Sequence, residues 1–163
     1  MRQIRGMTTR VIERADEAAV TALASGIAAR ARAGDAILLS GPLGAGKTSF
    51  ARAFIRARAG DLDLPVPSPS FTLIQTYDLD PPVAHVDLWR LAEPGEAGEL
   101  GLDQAYAGIV LIEWPDRLGG DEPEGALRIA LAWDDLAWDD NDPDATRRRV
   151  TLDGPARLIG ADE

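Results

Sequence analysis

The chain has no cysteine among its 163 residues, which excludes disulfides, thiolate catalysis and cysteine-ligated zinc or iron–sulfur centres. It has one histidine, His85, so a histidine metal cluster is excluded as well. Long apolar runs are missing: no stretch approaches the ~20 residues that a membrane-crossing helix needs. Arg2 and Arg5 are followed by no apolar segment of a leader peptide. A cytoplasmic protein without membrane contacts is expected. Positive charge is also scarce, with 17 Lys and Arg against 27 Asp and Glu and a formal net charge of −10. That balance repels a polyphosphate backbone unless basic residues gather on one face. Strong, direct nucleic-acid binding by the chain alone is disfavoured.

A 45% hydrophobic and 27% charged composition is that of a globular protein, and the length suits one domain. We place it at residues 7–155, with 1–6 and 156–163 as flexible tails. Met1 to Gly6 carries no periodic signal, and Met7 is a second candidate start. A short strand is expected around Thr9 to Ile12. Val20, Leu23, Ala24, Ile27 and Ala31 then recur at helical spacing, with Asp16 placed to cap the start and Gly34 the end. Ala36 to Leu39 is an apolar run of the kind buried on both faces of a parallel sheet. It leads into Gly41-Pro42-Leu43-Gly44-Ala45-Gly46-Lys47-Thr48, and an Ala-rich helix follows from Lys47 to about Arg58, stopped by Gly60.

Beyond the helix, Pro65, Pro67 and Pro69 force an extended loop. Strands are expected at Phe71 to Tyr77 and Val83 to Leu88, and Glu93 to Ala107 reads as a helix broken around two glycines. Ile109 to Ile112 is the second apolar run, ending in Glu113-Trp114-Pro115. Leu127 to Leu131 and Arg148 to Leu152 form a closing strand pair, joined by a mobile acidic loop from Asp134 to Asp144. The order predicts an α/β, P-loop NTPase-like three-layer fold, with a mostly parallel central sheet and antiparallel strands at its edges.

Strand, glycine-rich turn and helix are the setting in which backbone N–H groups curl around phosphate oxygens at a helix N-terminus. Gly41, Gly44 and Gly46 let the backbone bend, with Leu43, Ala45 and Ser49 completing the phosphate-binding stretch. Lys47 brings a full positive charge to the β- and γ-phosphates, and the Thr48 hydroxyl is a hard ligand suited to Mg²⁺. ATP or ADP with Mg²⁺ is the expected ligand. Mg²⁺ needs a second acid from a neighbouring strand tip, and Glu113 is the first choice. Asp87, at the end of Val83 to Leu88, shares a face with His85 and Val83. It either orients the attacking water or completes the metal shell. Trp114 lies against the nucleotide or packs on Pro115. His85 reads as a structural residue. Arg52, Arg56 and Arg58 read as the solvated face of the helix, and Arg90 as a contact to phosphate or a partner.

Four segments together resemble one family: Gly41 to Thr48, Ser68-Pro69-Ser70-Phe71-Thr72-Leu73, His85-Val86-Asp87-Leu88-Trp89-Arg90-Leu91, and Leu111-Ile112-Glu113-Trp114-Pro115. In order and spacing they resemble the TsaE (YjeE) family, the ATPases of bacterial tRNA threonylcarbamoyladenosine synthesis. The resemblance runs from about Thr9 to about Leu152. Ser70 stands where the family usually has Thr, and Trp89 where it has Tyr. Ser70 keeps the hydroxyl of a switch-like role near the γ-phosphate.

The resemblance implies that Lys47 and Thr48 bind ATP–Mg²⁺, that Glu113 helps hold the metal, that Asp87 is needed for hydrolysis and that Trp114 sits by the nucleotide. It further implies work with a TsaB–TsaD pair, in which TsaD makes the carbamoyl transfer to the tRNA, and weak ATPase activity alone. Contact with tRNA is expected only indirectly, or weakly through a strip such as Arg52, Arg56 and Arg58. Competing readings are a P-loop small-molecule kinase and a non-catalytic module holding ADP. A GTP switch is disfavoured because no Asn-Lys-x-Asp guanine reader is present.

Overall fold

The computed structural model describes residues 6–134 and 147–160; apart from Asp134, the acidic loop expected to be mobile lies outside the described residues. The elements are β1 (Met7–Ala15), α1 (Glu17–Arg30), β2 (Ala36–Ser40), α2 (Lys47–Ala59), β3 (Ile74–Tyr77), β4 (Val83–Asp87), α3 (Leu102–Ala105), β5 (Ile109–Glu113), β6 (Leu127–Trp133), β7 (Arg148–Pro155) and α4 (Ala156–Ile159). Single 3₁₀ segments span Pro94–Leu100 and Pro115–Leu118.

The seven strands form one sheet in the order β1-β7-β6-β2-β5-β4-β3. β6, β2, β5 and β4 are mutually parallel, while β1, β7 and β3 add antiparallel edges. This is the expected P-loop-like arrangement, and it follows from burial. The parallel strands carry apolar residues on both faces. Ile37, Leu39, Ile109 and Leu111 pack with Ile27, Phe50 and Phe54 of α1 and α2. Ala36, Leu38, Val110, Ile112 and Val86 pack with Leu91, Leu102 and Leu118 on the other side. β6 and β7 instead alternate buried and exposed residues, as strands covered on one face do.

Several boundaries differ from the sequence reading. α1 begins at the expected cap, where Asp16 Oδ1 accepts from the Ala19 N–H at 2.7 Å. It ends at Ala31, which is already extended, rather than at Gly34. Gly34 lies in the following turn and donates to Gly108 O at 2.8 Å. The carbonyls at the end of α1 are met by Arg58, whose guanidinium donates to Ala28 O and Ala31 O at 3.0 and 3.1 Å. Phe71 to Leu73 is turn rather than strand, with Leu73 N–H donating to Pro69 O at 2.7 Å. The segment 93–107 breaks at Gly101 alone, between a 3₁₀ stretch and α3.

The arginines of α2 are not a free solvated strip. Arg52 Nε donates to Val66 O and Arg56 Nε to Leu64 O, pinning the proline-rich loop, while Arg58 holds α1. Backbone carbonyls with no ladder partner attract such long cationic donors.

The C-terminal boundary at 155 also moves. Residues Ala156–Ile159 form α4, with Leu158 and Ile159 each 1% exposed in the α1–α2 core. Arg157 donates to the buried Asp35 carboxylate. We therefore expect Leu158→Ala to lower unfolding stability by about 2–4 kcal/mol, as filled core positions do. A urea titration showing an unchanged midpoint would return this segment to the status of a tail.

Candidate functional site

The turn after β2 is shaped by glycine at two positions. Gly41 has φ 145°, and a Cβ there would overlap the Leu131 carbonyl oxygen. Gly46 has φ 104° and forms the N-cap of α2 without a side-chain cap. No acidic residue stands in the first turn of α2, so the positive end of its dipole faces the turn uncompensated. The Lys47 side chain, 4% exposed, lies back along the loop. Its Nζ donates to Gly41 O at 2.7 Å and Pro42 O at 2.9 Å. Burial pulls the Lys47 pKa below that of an ordinary lysine, and the Glu113 and Asp87 carboxylates oppose this.

The two acids come from adjacent strand tips. β4 and β5 are in register with Asp87 opposite Glu113, and Glu113 is also opposite Leu39 of β2. Glu113 therefore ends the strand beside the glycine turn. Its carboxylate, 2% exposed, accepts from Thr48 Oγ1 at 2.8 and 3.1 Å and from His85 Nε2 at 2.6 Å. Since a carboxylate only accepts, Nε2 is the donor nitrogen, and Nδ1 is buried with no hydrogen-bond partner among the described residues. Asp87, 4% exposed, accepts from Ser70 Oγ at 3.1 Å and from the Trp89 N–H at 2.9 Å. Ser70 Oγ is in turn 2.7 Å from Ser68 Oγ.

A cavity of about 300 Å³ lies between these groups. Leu43, Gly44, Gly46, Lys47, Thr48, Ser49, Asp87, Glu113 and Trp114 all line it, together with Ser68, Ser70 and Trp89. Two residues expected there do not. Gly41 lies behind the loop against Leu131, and the Ala45 side chain is fully buried in the α1–α2 core. Trp114 adopts a left-handed backbone, φ 60°, ψ 53°, a conformation that costs a non-glycine residue about 1–3 kcal/mol. It brings the indole ring to 4.0 Å from Lys47 Nζ and 4.4 Å from the Trp89 ring, centroid to centroid. Arg90 does not reach the cavity lining; its guanidinium stacks 4.0 Å from the ring of Phe71.

His85 is the residue whose part in the site sequence reasoning understated. A lone histidine inside an apolar strand reads as core, and its contact to Glu113 depends on β4–β5 pairing. The one available signal was its position two residues before Asp87, which puts both on one face of β4.

The cluster can hold a polyanion on backbone N–H groups and Lys47, with two fixed carboxylates at one end. Thr48 and Glu113 offer oxygen donors only, in contact with each other, which fits Mg²⁺. Among the described residues no group of three or more His, Asp and Glu could hold a metal ion alone. The turn geometry generates one prediction independent of any ligand. Gly41→Ala must displace the Leu131 backbone, and we expect a loss of about 2 kcal/mol or more in thermal or denaturant unfolding. Wild-type stability would show that the turn tolerates a side chain there.

The family model described as "Threonylcarbamoyl adenosine biosynthesis protein TsaE" matches residues 14–140. The tRNA threonylcarbamoyladenosine biosynthesis protein TsaE of Bacillus subtilis is 38% identical over 113 residues, covering 68% of this chain and 69% of that protein. The protein of the same name from Rickettsia conorii is 42% identical over 96 residues, covering 58% of this chain. The chain spans only 54% of the length of that relative. The crystal structure of YdiB from Bacillus subtilis superposes with a TM-score of 0.70 at 27% identity, covering 94% of this chain and 90% of that one. With the matched model spanning both the glycine turn and the two acidic strand tips, the chain belongs to the TsaE family.

Proposed function

We propose that the chain is a cytoplasmic, Mg²⁺-dependent ATPase that serves tRNA threonylcarbamoyladenosine synthesis by supporting turnover of a TsaB–TsaD complex. The observation that carries the catalytic reading is the contact between Thr48 and Glu113. It joins the first turn of the phosphate-binding helix to an acid on the neighbouring strand. The pathway rests on the names of the relatives, and the TsaB–TsaD partnership on the family resemblance. No helix in the described residues is long and apolar enough to cross a membrane.

In this mechanism the loop N–H groups and Lys47 bind the β- and γ-phosphates of ATP, and Lys47 exchanges the Gly41 and Pro42 carbonyls for phosphate oxygens. Thr48 and Glu113 would hold Mg²⁺, which when bound neutralises charge on the transferred phosphoryl group. Asp87 is fixed by Ser70 at Oδ2 and by the Trp89 N–H at Oδ1, and a remaining lone pair of its carboxylate orients a water for in-line attack on the γ-phosphorus. As the water oxygen bonds to the γ-phosphorus, the bond to the β–γ bridging oxygen breaks, ADP leaves with that oxygen, and the water's proton passes to an oxygen of the released phosphate. His85 holds the Glu113 carboxylate in its orientation. Trp114 covers Lys47 and limits water around it. The arginines of α2 are engaged by backbone carbonyls, which supports tRNA contact through partners rather than through this chain.

Three variants test the assignment. Lys47→Ala should weaken ATP binding at least about 100-fold, whereas Asp87→Ala and Glu113→Ala should bind within a few-fold of wild type and lose about 100-fold or more in turnover. Phosphate release measured with and without TsaB–TsaD decides this; undiminished hydrolysis by Asp87→Ala removes that residue from the mechanism. Absence of hydrolysis in the wild type with partners present favours the module that merely holds ADP.

Burial also sets a pH dependence. The cationic form of Lys47 is present below its pKa and lost above it. Because that pKa is lowered, ATP affinity should fall on the alkaline side earlier than for an exposed lysine. Lys47→Arg, to the extent that it binds, should lack that fall. Parallel profiles for the two proteins in equilibrium titrations would remove Lys47 as the titrating group.

A further inference from the structure

Resting on the nucleotide reading above, we infer that Trp133 and Arg148 form the platform for the nucleotide's base, on the side of the glycine loop opposite the two acids. In that reading Asp87 and Glu113 must face the terminal phosphate, where the bond breaks. The base sits at the far end of the triphosphate and therefore lies away from them. β4 and β5, with Trp89 and Trp114 at their tips, take up one flank of β2. The other flank is β6, followed by β7.

The register carries this flank outward beside the loop. Ala130 of β6 lies opposite Ser40, the last residue of β2. Leu131, Ala132 and Trp133 therefore continue past the point where β2 turns into the glycine loop, and the Leu131 carbonyl touches Gly41. Trp133 pairs with Arg148 at the start of β7. By alternation both continue the face on which Leu131 and Val150 are buried under the α1–α2 layer. The core face thus runs off the sheet edge as an indole and a guanidinium. Trp133 is 42% exposed.

Arg148 links this pair to the loop. Its Cζ is 5.2 Å from the Trp133 ring centroid. Its Nε lies 3.2 Å from where a Cβ would stand on Gly46, so the guanidinium rests on the backbone that caps α2. That Nε is buried with no hydrogen-bond partner among the described residues. A buried guanidinium N–H without an acceptor is costly, and one placed beside a phosphate cradle and an exposed indole is suited to a planar, acceptor-rich heterocycle. Indole and guanidinium planes both stack on bases. Stacking reads the π-face and not the base edge, so the pair should favour purine nucleotides without separating ATP sharply from GTP.

The test titrates Mg-ATP, Mg-GTP and inorganic tripolyphosphate into the full chain and into Trp133→Ala, Trp133→Phe and Arg148→Ala, each checked for a wild-type unfolding midpoint. We expect Trp133→Ala and Arg148→Ala each to weaken ATP and GTP about tenfold. Trp133→Phe should stay near wild type, and tripolyphosphate should bind all four proteins alike. Equal losses for tripolyphosphate and ATP would overturn the base site, because the pair would then act on phosphate. Unaltered ATP binding in both alanine variants would overturn it as well. Lys47→Ala separates the two levels of the argument. If it binds ATP undiminished, the nucleotide reading itself fails; if it loses ATP while Trp133→Ala and Arg148→Ala keep it, only the base platform fails.

Discussion

A carboxylate closed off from water must be met by donors on several sides, and Glu113 is that carboxylate here. It ends the central strand β5 and is reached by a hydroxyl from α2 and an imidazole from β4. Removing an acid from solvent without such donors costs several kcal/mol. The demand for partners therefore joins three elements at one point. The parallel pairing of β2, β5 and β4 brings the strand tips together, and the buried hydrogen bonds hold the side chains there. Without this junction the glycine turn would stand apart from the acids at the tips of β4 and β5.

The sheet around that junction is unequal on its two sides. The flank at β5 and β4 carries the acids, hydroxyls and stacked indoles, while the flank at β6 and β7 brings the Trp133 indole and the Arg148 guanidinium to the loop. The nucleoside triphosphate proposed as ligand has the same inequality, reactive at its phosphate end and aromatic at its base. The left-handed backbone of Trp114 belongs to this division of labour. It turns the chain sharply after β5, seats the ring above Lys47 and lets the 3₁₀ segment at Pro115 begin at once. Backbone strain of this sort persists only where the surroundings over-determine it, and here the buried strand before it and Pro115 after it do so.

Much of this was legible in the residue order. The glycine turn is a local device, written in contiguous residues, and the apolar runs at Ala36 and Ile109 announce buried parallel strands that must deliver their tips to one edge. Asp87 and Glu113 were readable for the same reason, as acids at the ends of such runs. What escaped depended on pairing between distant segments. His85 touches Glu113 only because β4 and β5 lie in register, and the Trp133–Arg148 pair joins residues on either side of a long acidic stretch. Arg52, Arg56 and Arg58 looked solvated because their spacing is that of an outer helix face, yet the carbonyls they serve come from other parts of the chain. The last helix was missed because four residues give too short a window for periodicity, although Leu158 and Ile159 are an apolar pair in a polar ending.

If the loop holds phosphate as proposed, the hydrogen bonds from Lys47 to its own loop have a kinetic meaning. With the ammonium already tethered to Gly41 and Pro42, the turn keeps its curvature through internal contacts, and an arriving anion substitutes for carbonyls instead of organising a slack segment. Little ordering entropy is then left to be lost at the moment of capture, and the empty and filled loops can share nearly one shape. In the proposed ATPase cycle, release of phosphate would be eased by the same symmetry, since the ammonium returns to oxygens a short swing away. A loop built in this way suits repeated cycles of occupancy better than permanent retention.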